Sequence, residues 1–310
     1  MSLLHAHDQW PELPYGEWKA TYNTLHMWTQ IVGKIRLARA AWLNHSWNVP
    51  LYVSARGLTT SLIPDGARAF EIEFDFIEHR LQLRTSEGLT RSMALAPRTV
   101  ADFHRELFAH LADLGFQIAI NNTPNEIVDA IPFDEDQVHA AYDPAYAHRL
   151  WRLLLQADRV FKQFRGGFLG KSSPVHFFWG AFDLAHTRFS GAIAPPHPGG
   201  VPNCPDRVMR EAYSHEVSSC GFWPGSKAVP YPAFYAYAYP EPPGYRDAVV
   251  LPAQARYDAG MGEFILPYDA VRLAPSPDAA LLDFLQTTYE AAASLGQWHR
   301  GALERPSGIA

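Results

Sequence analysis

One order of local patterns runs twice along this chain: an amphipathic helix, a set of extended segments, then a second helix. In the first pass Leu25, Trp28, Ile31, Val32, Ile35 and Leu37 recur at helical spacing over 21–38, and the turn cluster Asn44-His45-Ser46 follows as a stop. Extended segments come next: Leu51 to Leu58, then Phe70, Ile72, Phe74 and Phe76 in strict alternation with Glu71, Glu73 and Asp75. A period of two describes an antiparallel strand with one face in the core. The parity changes at Glu78-His79 and moves Leu81 and Leu83 to the inward set, which predicts a tight hairpin. After a strand near Met93 to Leu95, Pro97 opens a helix over 98–114 that Gly115 closes.

The second pass begins near residue 143, where Leu150, Leu153, Leu154, Ala157, Val160, Phe161 and Phe164 form a helical stripe ending at Gly166-Gly167. Extended segments Val175 to Phe182, Phe234 to Tyr239 and Phe264 to Leu266 precede a helix from Asp278 to Leu295, closed by Gly296. Local identities accompany the shared order: Leu95-Ala96-Pro97 matches Leu273-Ala274-Pro275, and Asp102-Phe103 matches Asp283-Phe284. The expected architecture is therefore α+β, two similar helix–antiparallel sheet–helix units related by internal duplication. They span 18–122 and 143–297, joined by a connector over 123–142, with Trp28 set on Trp151 and Pro50 on Pro174.

Where two copies differ, polar residues found in only one are better candidates for a site than those both copies share. Aligned on the two prolines, Tyr52 faces His176, Ala55 faces Trp179 and Thr59 faces Asp183. The second copy also inserts a loop, Gly191 to Pro205, with five prolines and three glycines, and long irregular loops of this kind often cover binding sites. Tyr235, Tyr237 and Tyr239 alternate with alanine and share one strand face, and with Trp223 and Phe234 they read as an apolar wall. The expected site joins His176, Asp183, His215 and Glu216 as catalytic groups with Arg188, Trp179, Trp223 and Tyr237 as substrate-binding groups, bordered by the 191–205 loop. A carboxylate beside a histidine suits general-base work, and an arginine can clamp a carboxylate or phosphate. His215 and Glu216 are adjacent, so a strand points only one of them into a given pocket.

Charge and motifs narrow the classes. Lys and Arg number 26 against 32 Asp and Glu, a balance of −6 with no long like-charge run, so neither nucleic acid nor a membrane surface is the expected partner. Two cysteines, Cys204 and Cys220, build neither a disulfide framework nor a four-sulfur centre; with no secretory leader pattern at the N-terminus, a cytoplasmic location is expected. Gly170-Lys171-Ser172 lacks the earlier glycine and preceding strand of a phosphate loop, and His215-Glu216-Val217-Ser218-Ser219 lacks the second histidine of a zinc-protease pair. No nucleophile elbow or dinucleotide fingerprint occurs, and no cofactor or metal is expected.

Four stretches carry a family likeness: Trp28 to Leu37 (WTQIVGKIRL), Val49 to Thr60 (VPLYVSARGLTT), Ser173 to Leu184 (SPVHFFWGAFDL) and Ala212 to Gly225 (AYSHEVSSCGFWPG). Together the chain resembles a family of full-length bacterial proteins known only as a domain of unknown function. The resemblance covers nearly the whole chain and implies one shared architecture, but no activity and no catalytic residues. The family pattern often sets a basic residue after Phe189-Ser190-Gly191, where this chain has Ala192-Ile193, so the loop lacks a charge an anion would need. Two functional readings follow from the residues: an unknown small molecule bound in the second unit, with hydrolysis or proton transfer as the suited chemistry, or a non-enzymatic binding or assembly protein using an aromatic surface. A concave pocket with converging polar tips favours the first, an exposed aromatic patch the second.

Overall fold

A computed structural model describes residues 9–306. Among them are seven α-helices and two six-stranded antiparallel sheets, an α+β architecture. The first helix, α1 (Tyr15–Arg39), is buried around most of its circumference. Trp18, Leu25, Trp28, Ile31 and Ile35 meet the core on one side, while Thr21, His26, Gln30 and Lys34 are also buried. It ends before the turn Asn44–Ser46, where His45 and Ser46 take φ of 59° and 57°, unusual for residues with a Cβ.

The first sheet holds β1 (Tyr52–Val53), β2 (Gly57–Thr59), β4 (Arg68–Asp75), β5 (Arg80–Thr85) and β6 (Thr90–Ala94) in chain order, with β3 (Ile63–Asp65) added beside β4. Phe74 pairs with Leu81 and Ile72 with Leu83, the register that the change of parity at His79 requires. The polar face of β4 is not simply wet: Asp75 is 1% exposed, holding Arg56 Nε at 2.5 Å and the backbone N–H groups of Ile77 and Glu78. Helix α2 (Val100–Asp113) starts two residues later than the expected 98, because the Thr99 hydroxyl caps it by accepting from Asp102 N. Gly115 follows at φ 84°.

Helix α3 (Pro144–Gly166), capped by Asp143, buries the stripe from Leu150 to Phe164. The second sheet runs β7 (His176–Phe178), β8 (Asp183–Ile193), β9 (His215–Trp223), β10 (Ala233–Tyr239), β12 (Glu263–Pro267), β11 (Arg256–Asp258), again following the chain apart from its last strand. The short helix α4 (Asp206–Ala212) lies between β8 and β9, and α5 (Tyr268–Arg272), α6 (Pro277–Leu295) and α7 (Arg300–Leu303) close the chain. The two sheets meet edge to edge, where Leu51 and Phe177 exchange both backbone hydrogen bonds at 2.9 Å. Both sheets are thus largely meanders between helices, a topology that does not conflict with a duplicated unit.

Two local expectations change. Val175 to Phe182 is not one extended run: it turns after Phe178, Phe182 sits at φ 58°, and β8 begins at Asp183. The loop begins later than Gly191, because β8 continues to Ile193. Burial on both faces of β8, with Asp183, His186 and Arg188 among the buried residues, removes the alternation by which a strand is recognised.

Candidate functional site

Alternation along β8 divides its side chains between two environments. Leu184, His186 and Arg188 face the helical side, where the Arg188 guanidinium lies over the rings of Phe164, Phe168 and Tyr289 at 3.5, 5.0 and 4.3 Å. Asp183, Ala185, Thr187 and Phe189 face the other way and floor a cavity of about 500 Å³. Cross-strand pairing extends that floor: Thr187 lies opposite Ser219, and Ser219 opposite Tyr237, while Ala185 lies opposite Gly221, and Gly221 opposite Tyr235. Glu263 of β12 and Trp223 complete it.

Gly221 is required here by space. A Cβ on it would stand 2.3 Å from the Tyr235 hydroxyl and ring end. With no side chain in the way, Tyr235 reaches across β9 and donates its hydroxyl hydrogen bond to Asp183 Oδ2. Asp183 is only 8% exposed, and burial pushes its carboxyl up to about 6 against the opposing pull of the tyrosine bond. Burial likewise pushes Glu263 up to about 7, with the charges of Asp183 and Asp258 adding to the effect. Tyr213 and Tyr237 join hydroxyls at 2.7 Å beside this group.

The rest of the wall comes from the first half and the connector. Gln30 of α1 holds the backbone of Asn125 with both ends of its amide, donating to the carbonyl at 2.9 Å and accepting from the N–H at 2.8 Å. Lys34 donates to the carbonyls of Asn121 and Thr123 at 3.0 and 2.5 Å, and burial lowers its ammonium to about 8. So anchored, Glu126 takes φ 63° and lays its carboxylate against Gly180, where a Cβ would meet Oε1 at 2.0 Å. Glu126 lines the cavity and is exposed, yet the surrounding protein still withdraws enough water to push its carboxyl up to about 7, aided by the charge of Asp183.

A cover closes over the cavity from Cys204 and Pro205 through α4, with Arg207, Val208, Met209 and Ala212 on its inner side. It is fastened to residues of the first half and the connector. Asn125 Nδ2 donates to Asn203 O at 2.6 Å, Asn203 Nδ2 to Ile127 O at 2.7 Å, and Trp42 Nε1 to Glu211 Oε1 at 3.0 Å. His45 Nδ1 lies 3.1 Å from Glu211 O and 3.2 Å from Ala212 O, so that nitrogen carries the proton. Its Nε2 then accepts from Lys171 at 2.6 Å, and burial and the lysine charge both lower the imidazole's affinity for a second proton.

Of the residues expected at the site, Asp183, Trp179, Trp223 and Tyr237 line the cavity. Arg188 does not; strand parity puts it on the opposite face, with its Nη2 donating to Phe164 O. His176 does not either. It is fully buried behind the wall residue Trp47, between the rings of Tyr52 and Phe178, with neither ring nitrogen hydrogen-bonded, and burial followed by the charges of Arg36 and Arg165 lowers it to about 3. His215 stands beyond the cavity's end against His45, bonded to Ser214 at 3.0 Å, and Glu216 accepts from Ser190 at 2.8 Å. The sequence reading missed Glu126, Glu263 and His45. Only the pairing of β10 with β12 puts Glu263 on the tyrosine face, and Glu126 sits in a stretch that reads as linker.

Among the described residues no group of three His, Cys, Asp or Glu side chains is arranged to hold a metal ion, and no helix is long and apolar enough to cross a membrane. The arrangement is a mostly apolar, aromatic chamber in which three carboxyl groups titrate near neutrality. Searches of curated proteins and of solved structures find no match to this chain. A family model does match, over residues 10–305: the chain belongs to DUF5996, a family of unknown function.

Proposed function

We propose that this protein binds a small organic molecule in the cavity on the second sheet, with the Asp183–Tyr235 pair exchanging a proton with it. The observation that carries this reading is a chamber of about 500 Å³, within the range of small-molecule sites, with a buried carboxyl group on its floor. A general acid or base works best when its pKa lies near the working pH, and Asp183 at about 6 meets that condition without a metal or a histidine. The assembly reading asks for an outward aromatic patch, whereas Trp179, Trp223, Tyr235 and Tyr237 face inward.

Titration with Nile red, a neutral apolar dye, tests the chamber itself. Saturable binding is expected with the full chain. Ala181→Trp and Ala212→Trp, which fill the cavity from two sides, should weaken it about tenfold or more. Absence of saturable binding, or equal binding by both folded variants, refutes the reading.

A further inference from the structure

The structure also bears on the charge of the occupant, an inference that rests on the cavity being a ligand site. We propose that the molecule it takes is an organic amine with an apolar or aromatic body, bound as its ammonium ion. Trp179, Trp223, Tyr235 and Tyr237 line the chamber, and aromatic rings attract a cation through their quadrupoles. Asp183 and Glu263 on the floor and Glu126 on the opposite wall add carboxylate acceptors to the same cavity.

Positive charge is largely kept out. Among the lining residues Arg207 is the one arginine or lysine, and it lies exposed on the cover. Lys171 is turned onto His45 Nε2 and the faces of Trp47 and Phe189 instead. An anionic ligand would meet three carboxyl groups with that single cation near it. A neutral ligand would leave the carboxylates as costly as they are alone. An ammonium ion offsets them, and burial then strengthens the attraction because little water screens it.

Three probes with one aromatic body separate the cases: 2-phenylethylamine, 2-phenylethanol and 3-phenylpropionate, titrated calorimetrically into the full-length protein at pH 7.5. The amine should bind about tenfold tighter than the alcohol, with the carboxylate weakest. Asp183→Asn and, as a second variant at another position, Glu263→Gln should each shrink the amine-to-alcohol ratio. Nile red binding with no preference for the amine, or with the preference intact in both folded variants, overturns the inference and leaves the cavity reading standing. Failure of the dye and all three probes overturns both.

Discussion

Replacing Asp183 by asparagine should stabilise the protein at pH 8, although it alters a buried hydrogen-bonded group. In the folded chain burial raises this carboxyl from 3.8 to about 6, so folding favours its protonated form. The folded value lies above the unfolded one. The penalty is therefore absent below about pH 4, grows as pH rises towards 6, and is complete above that. At 1.36 kcal/mol per tenfold change, the difference amounts to about 3 kcal/mol at pH 8 and roughly half of that at pH 5. Asparagine keeps an oxygen to accept from Tyr235 but adds an N–H pair, and one buried donor left unsatisfied costs about 1 kcal/mol. A net gain of about 2 kcal/mol is expected at pH 8, falling to about 0.5 kcal/mol at pH 5. Removal of the Asp183 charge also relieves Glu126 and Glu263, both of which it raises, so coupling works in the same direction. Urea unfolding of both proteins at 25 °C and both pH values measures this directly. A variant less stable than the parent at pH 8, or one whose gain does not depend on pH, would refute the placement of an ionisable carboxyl in a buried position.

Two further substitutions test the geometry. Gly221→Ala drives a methyl group into the Tyr235 ring end and the Leu184 carbonyl oxygen, 2.3 and 2.5 Å from the new carbon, and should cost about 1–3 kcal/mol in urea unfolding, with only part of the cost removed in a Tyr235→Ala background because the carbonyl stays; an equal cost in both backgrounds would show that the ring is not among the atoms it meets. Arg188→Met replaces a buried cation that is stacked on rings and bonded to a carbonyl. It should change stability by less than about 1.5 kcal/mol and leave Nile red binding intact, whereas a large loss of dye binding would return Arg188 to the site.

What could be read ahead of the structure follows from which physical signals are local. The β4–β5 hairpin was legible because alternation and the parity change at His79 are properties of neighbouring residues. Helix α3 was legible because its stripe faces a single core. β8 was not, since burial of both its faces erases the period, and that single omission hid the parity that separates Asp183 from Arg188. His176 differs in polarity from Tyr52, the residue aligned with it in the first unit, but that difference belongs to packing: Tyr52 lies against it at 5.5 Å between ring centres. Glu126 gave no signal, because its position depends on Gln30 holding Asn125 from 95 residues away in the sequence.

The asymmetry between the halves located the floor of the cavity, yet the chamber does not belong to the second half. Trp42, His45, Trp47 and Val49 come from the segment after α1, and Asn125 and Glu126 from the connector, while the second sheet supplies Asp183, Tyr235, Tyr237 and Glu263. Fastenings across the cover run in the same sense, from Trp42, His45, Asn125 and Ile127 to Asn203, Glu211 and Ala212. If the units arose by duplication, the inserted cover of the second copy closes by gripping both the first and the connector, which gives a reason for the two to remain in one chain. The Leu51–Phe177 bridge joins the sheet edges close to Val49 and Phe178, both of them wall residues, so a shift of one half against the other would open the chamber. The carboxyl groups make that coupling matter, because their raised pKa values depend on exclusion of water by walls from both halves.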